Sequence, residues 1–163
     1  VLMVAGPFPS IMAEILEGAL ATLSRWAASC GLRVNSDKTE LMLFTRKYKP
    51  PPFKLPRLNN QCLTLSSEVK YLGVILDPKL HWKLHIENRV KKANIAFYAC
   101  KSMFGKKWGL KPRVVLWMYN LVVLPILTYG CLVWWVALQK GYNTTKLERV
   151  QRTACVGITG ACR

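Results

Sequence analysis

The chain has 163 residues, with 24 Lys and Arg against 8 Asp and Glu, for a net charge of +16. A field this lopsided attracts polyanions, nucleic acid first and anionic membrane second, and puts acidic protein partners a distant third. Half of the residues (52%) are hydrophobic, so the chain can bury a core as one domain or two small ones.

The six cysteines, Cys30, Cys62, Cys100, Cys131, Cys155 and Cys162, are scattered and form no C-x-x-C pair. That spacing argues against a zinc site and a disulfide framework, and reads as free thiols in a reducing, intracellular compartment. Asn143-Thr144-Thr145 fits the glycosylation pattern, but three residues match often by chance. The chain opens on Val1 inside an apolar run with no basic stretch before it, which reads as an internal fragment rather than a signal peptide.

In chain order, Val1 to Ala5 reads as a short strand broken by Gly6-Pro7-Phe8-Pro9. Ser10 is a natural N-cap for a helix whose apolar stripe is Ile11, Ile15, Ala19, Leu23 and Trp26 and whose stop is Gly31. A polar turn follows through Lys38, then a strand over Thr39 to Thr45. Spacing alone makes Lys38 a solvated turn lysine. Arg46 to Arg57 is basic and proline-rich, an exposed loop equally suited to solvent and to phosphate. Leu58-Asn59-Asn60-Gln61 reads as a hairpin turn with its second strand at Cys62 to Leu65. Val69 to Leu76 is a β-branched, aromatic strand closed by Asp77-Pro78, and after it only helices are expected.

Trp82 to Phe104 carries the helical stripe Ile86, Val90, Ala93, Phe97, Cys100 and Phe104, with Arg89, Lys91, Lys92 and Lys101 beside or opposite it. His81 and His85 are four apart, but no full set of metal ligands accompanies them, so no metal site is expected. Lys106, Lys107 and Trp108 lie in a basic turn. Its composition suits either a nucleic-acid strand, with charges on phosphates and a ring on bases, or a helix connection whose Trp covers the core. Residues 114–138 contain no charge and are long enough to span a bilayer, which takes about 20 apolar residues. Asn120, Pro125, Thr128 and Gly130 within the run, with basic residues at both ends, favour two packed helices, about 112–123 and 125–138. Thr145-Lys146-Leu147-Glu148 is a capping box that opens a last helix with Leu147, Val150, Ala154 and Ile158 on one face.

The eight carboxylates, Glu14, Glu17, Asp37, Glu40, Glu68, Asp77, Glu87 and Glu148, include no evident metal-binding pair at a strand end. There is no glycine-rich phosphate loop and no nucleophile with an adjacent base. The residues by themselves describe a basic α+β chain that binds nucleic acid.

A series of short motifs points further. Gly31-Leu32-Arg33-Val34-Asn35 with Lys38-Thr39-Glu40, Tyr71-Leu72-Gly73-Val74, Asp77 with Leu80, His85 and Ile86, and Trp108-Gly109-Leu110 occur in order. Pro125 with Tyr129-Gly130 and Trp134, then Val150-Gln151-Arg152, complete the series. Together they resemble the reverse transcriptase of non-LTR (LINE-like, Jockey-clade) retrotransposons over nearly the whole chain.

The resemblance implies an α+β fold. Residues 1–80 would be the end of the polymerase palm, short antiparallel strands plus a helix. Residues 81–163 would be an all-helical, thumb-like bundle and the start of the following connection. It implies that Lys38 is the motif D lysine, a general acid toward departing pyrophosphate. Tyr71, Leu72 and Gly73 would be the primer grip. Lys91, Lys92, Lys101, Lys106, Lys107 and Trp108 would meet the template–primer backbone. The implied partners are an RNA template, a DNA primer and the remaining palm and fingers of the parent polymerase, cytoplasmic and nuclear. The family's catalytic aspartates are absent from this sequence. The chain alone is therefore expected to hold no metal and to be inactive, with Mg²⁺ belonging to the intact parent. The alternatives are a non-catalytic nucleic-acid-binding remnant of a retroelement and, less favoured, a small membrane-anchored protein.

Overall fold

The computed structural model describes residues 1–49, 52–102 and 111–159. The chain forms two units, Val1–Val69 with Asp77–Leu80, and Lys70–Leu76 with His81–Arg163. The elements are mostly helical, with two small two-stranded antiparallel sheets, so the fold is α+β.

In the first unit, α1 (Pro9–Ser29) starts with Pro9 in its first turn and Phe8 as N-cap. Ser10 already lies inside the helix and caps nothing, because proline's fixed φ is pre-set for the first helical position. The C-terminus closes as expected at Gly31 (φ 71°): Gly31 N–H donates to Ala28 O at 3.1 Å and Leu32 N–H to Ala27 O at 2.8 Å. The buried face differs from the expected one. Ala13, Leu20 and Ala27 are buried, whereas Ile11, Ile15 and Trp26 are exposed. Leu20 packs with Leu58 and Leu63, flanked by Leu16, Val34 and Leu41. Two apolar stripes run along this helix, and the side with small alanines lets the rest of the unit approach.

The expected strands here are short or missing. Residues 1–5 form no strand, since no described segment pairs with their backbone. The segment 39–45 makes one parallel bridge, Leu41 with Leu65, and Thr45 N–H turns instead to Pro78 O at 3.1 Å. The hairpin predicted at Asn59-Asn60 is present. β1 (Arg57–Leu58) pairs antiparallel with β2 (Gln61–Cys62), and both turn residues have positive φ (50° and 65°). One further bond, Leu63 N–H to Pro56 O at 3.1 Å, continues this register, and the ladder stops there because Pro56 has no N–H to return.

The strand expected over 69–76 is a hairpin, β3 (Val69–Tyr71) and β4 (Val74–Leu76). Residues 70–76 pack with the helices, whereas the sequence reading keeps 1–80 together. α2 (Lys83–Ser102) follows, with His85, Ile86, Arg89, Ala93 and Phe97 buried. His81 precedes this helix, so the two histidines do not share a helical face.

The next helix does not break at Pro125. α3 (Pro112–Met118) runs through a π turn (Tyr119–Val123) into α4 (Leu124–Thr128). The wider turn, in which Leu124 N–H reaches Tyr119 O, accommodates a proline that lacks a donor. The break comes at Gly130 (φ 67°), before α5 (Cys131–Trp134) and a 3-10 turn (Trp135–Gln139). Among the described residues no single helix is long and apolar enough to cross a membrane. Pro112–Thr128 and Cys131–Gln139 would pass by length and composition only as a pair, bent by 48°.

α6 (Gly141–Thr159) begins four residues before the capping-box sequence, and Thr145 Oγ1 donates back to Gly141 O at 2.9 Å as an interior hydroxyl does. Its start is set by neighbours: Asn143 Nδ2 donates to Ala137 O at 2.8 Å and Thr144 Oγ1 to Leu138 O at 2.6 Å. The face containing Leu147, Val150, Ala154 and Ile158 meets Ala93, Phe97, Val115, Val123 and Leu127 in the main core, as its spacing predicts. A second cluster holds Trp82, Ile86, Trp134 and Ala137. Each fully buried side chain of this size stabilises the fold by about 1.5–3 kcal/mol.

Candidate nucleic-acid interface

The β3–β4 turn has only Leu72 (φ 46°) and Gly73 (φ 80°) between its strands. Two positive φ values suit the right-handed twist of a tight hairpin, and Gly is the usual second residue. Leu in that conformation carries roughly 1–2 kcal/mol of steric cost. A two-stranded hairpin is marginal by itself. Three side chains from the helices hold this one.

Arg89, buried on α2, donates from Nη2 to Gly73 O at 2.6 Å. Tyr129, at the break before α5, donates its hydroxyl to Leu72 O at 2.8 Å. The Arg89 guanidinium lies 4.8 Å from the Tyr129 ring centroid, an attractive cation–π contact. His85 Nδ1 accepts Ile75 N–H at 3.1 Å. The fit is close: a Cβ on Gly73 would lie 3.2 Å from Tyr129 Cε1, and one on Gly130 would lie 3.2 Å from Val74 Cγ2. Trp134, buried, fixes the Tyr129 backbone by donating Nε1–H to its carbonyl at 3.0 Å, and its ring lies 5.9 Å from that of His85. With both turn carbonyls held from behind, Tyr71 and Leu72 stand exposed at the tip, Leu72 by 73%.

Burial pushes the His85 pKa below its ordinary value, and the Arg89 charge adds to that push. The Tyr129 carbonyl pulls the other way without hydrogen-bonding Nε2. His85 is therefore neutral at pH 7, with the proton on Nε2, because Nδ1 is used as an acceptor.

A second feature lies between α2 and α6. A groove of about 790 Å³ is lined by Lys91, Asn94 and Tyr98 from one helix and Lys146, Arg149 and Thr153 from the other. Glu87 is ion-paired to Lys146 at this groove. Lys146 also lies 4.2 Å from the Tyr142 ring centroid, and Tyr142 donates its hydroxyl to Glu87 at 3.3 Å. The hydrogen bond from Lys146 holds the Glu87 carboxyl below its ordinary pKa, against a smaller effect of burial.

Of the residues singled out from sequence, Tyr71, Leu72 and Gly73 form one tip and Lys91 faces the groove. Lys92 and Lys101 are exposed on α2 outside the groove lining. Lys106, Lys107 and Trp108 lie outside the described residues. Lys38 is exposed in a turn of the first unit, where Asn35 Oδ1 accepts the backbone N–H of Asp37 at 2.8 Å and of Lys38 at 3.3 Å. Arg89, Lys146 and Arg149 are absent from the sequence-based set. Arg89 had a signal, its spacing of four from both His85 and Ala93 within the buried stripe. Among the described residues no group of three His, Cys, Asp or Glu side chains could hold a metal ion.

No protein-family model and no solved structure matches the chain. It is 28% identical over 144 residues, 88% of its length, to the probable RNA-directed DNA polymerase from transposon BS of Drosophila melanogaster. It is 27% identical over 90% of its length to the RNA-directed DNA polymerase from mobile element jockey of the same species. A Pol polyprotein from a type-1 retrotransposable element R1 of Nasonia vitripennis is 24% identical over 99% of the chain. The chain spans 16%, 16% and 45% of these relatives' own lengths. It is therefore similar, across nearly its whole length, to a segment of the RNA-directed DNA polymerases of Jockey-like non-LTR retrotransposons.

Proposed function

We propose that this chain is the part of a retrotransposon reverse transcriptase that grips the primer and holds the template–primer duplex. Residues 1–80 are the end of the palm under this reading, and residues 81–163 the thumb and the start of the connection beyond it. The parent adds nucleotides to a primer 3′ end by copying RNA. The observation that carries the reading is the similarity to such polymerases over 88–90% of the chain.

The geometry supports a division of labour. The apolar tip of Tyr71 and Leu72 offers surface to a sugar or base at the primer end. Lys91 and Arg149 along the groove, where Lys146 is paired with Glu87, offer charge to phosphates, which position a duplex without reading its sequence. Lys38 is the general acid toward pyrophosphate in the assembled enzyme. Mg²⁺ belongs to that enzyme. The described residues here offer no carboxylate set to hold it.

The test is binding of the purified chain to an RNA–DNA hybrid with a recessed DNA 3′ end, compared with either single strand, from about 50 to 200 mM salt. Preference for the hybrid, with affinity falling steeply as salt rises, is the expected result. Equal binding to all three ligands would leave a general nucleic-acid-binding remnant. No binding at low salt would remove the reading altogether.

A further inference from the structure

The tip of the β3–β4 hairpin presents a puzzle that the proposed grip does not resolve. Two three-residue strands joined by a strained Leu-Gly turn are too weak to hold a ligand in place, and among the described residues no third strand supports them. Yet behind the turn a cation is buried with no carboxylate paired to it among the described residues. Arg89 is 7% exposed, its Nη2 is on Gly73 O, and its Cζ lies over the Tyr129 ring, 4.8 Å from the centroid. Burying an unpaired charge is unfavourable unless oriented dipoles or a ring face offset it. Here the offset comes from one of the turn's own carbonyls and from the ring whose hydroxyl holds the other.

We infer that Arg89 and Tyr129 are positioning residues. They lock the Leu72-Gly73 turn to the helical unit, so that Tyr71 and Leu72 meet the 3′ end of a primer strand as one rigid surface. This rests on the primer-grip reading and deepens it. Neither residue touches the nucleic acid. Tyr129 acts through Leu72 O, and Arg89 acts through Gly73 O and through the Tyr129 ring. The ligand is the terminal sugar and base of a recessed strand, since Tyr71 and Leu72 present apolar surface at the tip, with one exposed cation, Lys70, beside them on β3 for the neighbouring phosphate. A pre-set surface binds better than a flexible one because ordering it on binding is avoided.

The test is a double-mutant cycle of Tyr129→Phe and Leu72→Ala, read as affinity for the recessed-end hybrid across the same salt series. Tyr129→Phe keeps the ring stack and removes only the hydroxyl, so the chain stays folded, and its urea midpoint checks this. Tyr129→Phe is expected to weaken recessed-end binding about fivefold, the scale of one hydrogen bond, and Leu72→Ala by about the same factor through lost apolar contact. The salt slope stays unchanged, because no phosphate contact is lost. In the Leu72→Ala background, Tyr129→Phe has a smaller effect than in the native chain, because only Tyr71 is left at the tip for the hydroxyl to position. Arg89→Lys, which keeps the charge but loses the forked head that reaches Gly73 O while lying over the Tyr129 ring, repeats the Tyr129→Phe result.

Additive losses, a changed slope, or unaltered binding by Tyr129→Phe would overturn the inference while leaving the grip reading intact. Failure of the native chain to prefer the recessed-end hybrid over single strands would sink both.

Discussion

Gly73→Ala tests the clasp from the turn side. Alanine at φ 80° carries roughly 1–2 kcal/mol of backbone strain relative to glycine. Its Cβ would lie 3.2 Å from Tyr129 Cε1 and 3.3 Å from Tyr129 Oη. The ring must shift by a few tenths of an ångström, and the hydroxyl it carries is the one bonded to Leu72 O. Loss of that hydrogen bond adds about 1 kcal/mol. The sum is about 2–3 kcal/mol, or a melting point lower by about 5–10 °C in a chain of this size. Gly141→Ala is the control in the same unit: nothing lies within 4 Å of its Cβ and its φ is not positive, so its effect stays within about 0.5 kcal/mol. Urea unfolding followed by tryptophan fluorescence measures both. The clasp as described is wrong if Gly73→Ala costs less than about 0.5 kcal/mol, or if Gly141→Ala costs as much.

His85 sets a pH dependence. Its folded pKa is lowered, so the unfolded chain takes up the proton first as pH falls. Stability is full above the ordinary histidine pKa of about 6.5 and declines as pH drops through it toward the lowered value. Urea midpoints from about pH 7 to 5 should fall more steeply for the native chain than for His85→Gln, and parallel profiles would refute this. Glu87→Gln breaks a partly exposed ion pair and should change stability by no more than about 1 kcal/mol. It should also tighten hybrid binding and steepen its salt dependence, because Lys146 is released to phosphate; weaker binding would count against the groove. The carboxyl's folded pKa is lowered, so both effects hold above the ordinary carboxylate range and fade as pH falls through the folded value. Asn143→Ala removes one of two donors to the Ala137 carbonyl, leaving the Lys140 N–H at 3.3 Å, and should cost about 1 kcal/mol in a thermal melt. Asn143 is 3% exposed with its amide nitrogen so engaged, so the native residue should carry no glycan by mass spectrometry.

The sequence showed the chain's local events better than its faces. The Asn59-Asn60 turn, the Gly31 stop, α2 and the buried stripe of α6 were legible because turn chemistry and strong periodicity act within a few residues. The face of α1 was not. Ile11 and Ile15 are as apolar as Leu16 and Leu20, and only the partners at Leu58 and Leu63 decide which side is covered. The strand over 69–76 read as continuous because Leu72 is a poor turn residue. Its positive φ is imposed by a tyrosine and an arginine 57 and 17 positions away in sequence. Pro125 misled for a related reason, since a π turn absorbs it and the break falls to Gly130.

The same distinction bears on the charge. A net +16 says that a polyanion is attracted but not which cations meet it. Arg89 belongs to that count, yet it is buried and its Nη2 faces a backbone carbonyl, so it adds nothing to a phosphate contact. Lys146 is paired with Glu87, which leaves Lys91 and Arg149 as the groove cations without a carboxylate partner among the described residues. Under the proposed grip and groove, the interface separates into two parts that should respond differently to salt. In that reading charge along the groove sets the slope of affinity against salt, and Arg149→Gln should lower that slope by about one. The apolar tip should set a factor that is the same at every salt concentration. A tip variant that changed the slope, or a groove variant that shifted affinity without changing it, would mean that these two surfaces are not separate parts of one site.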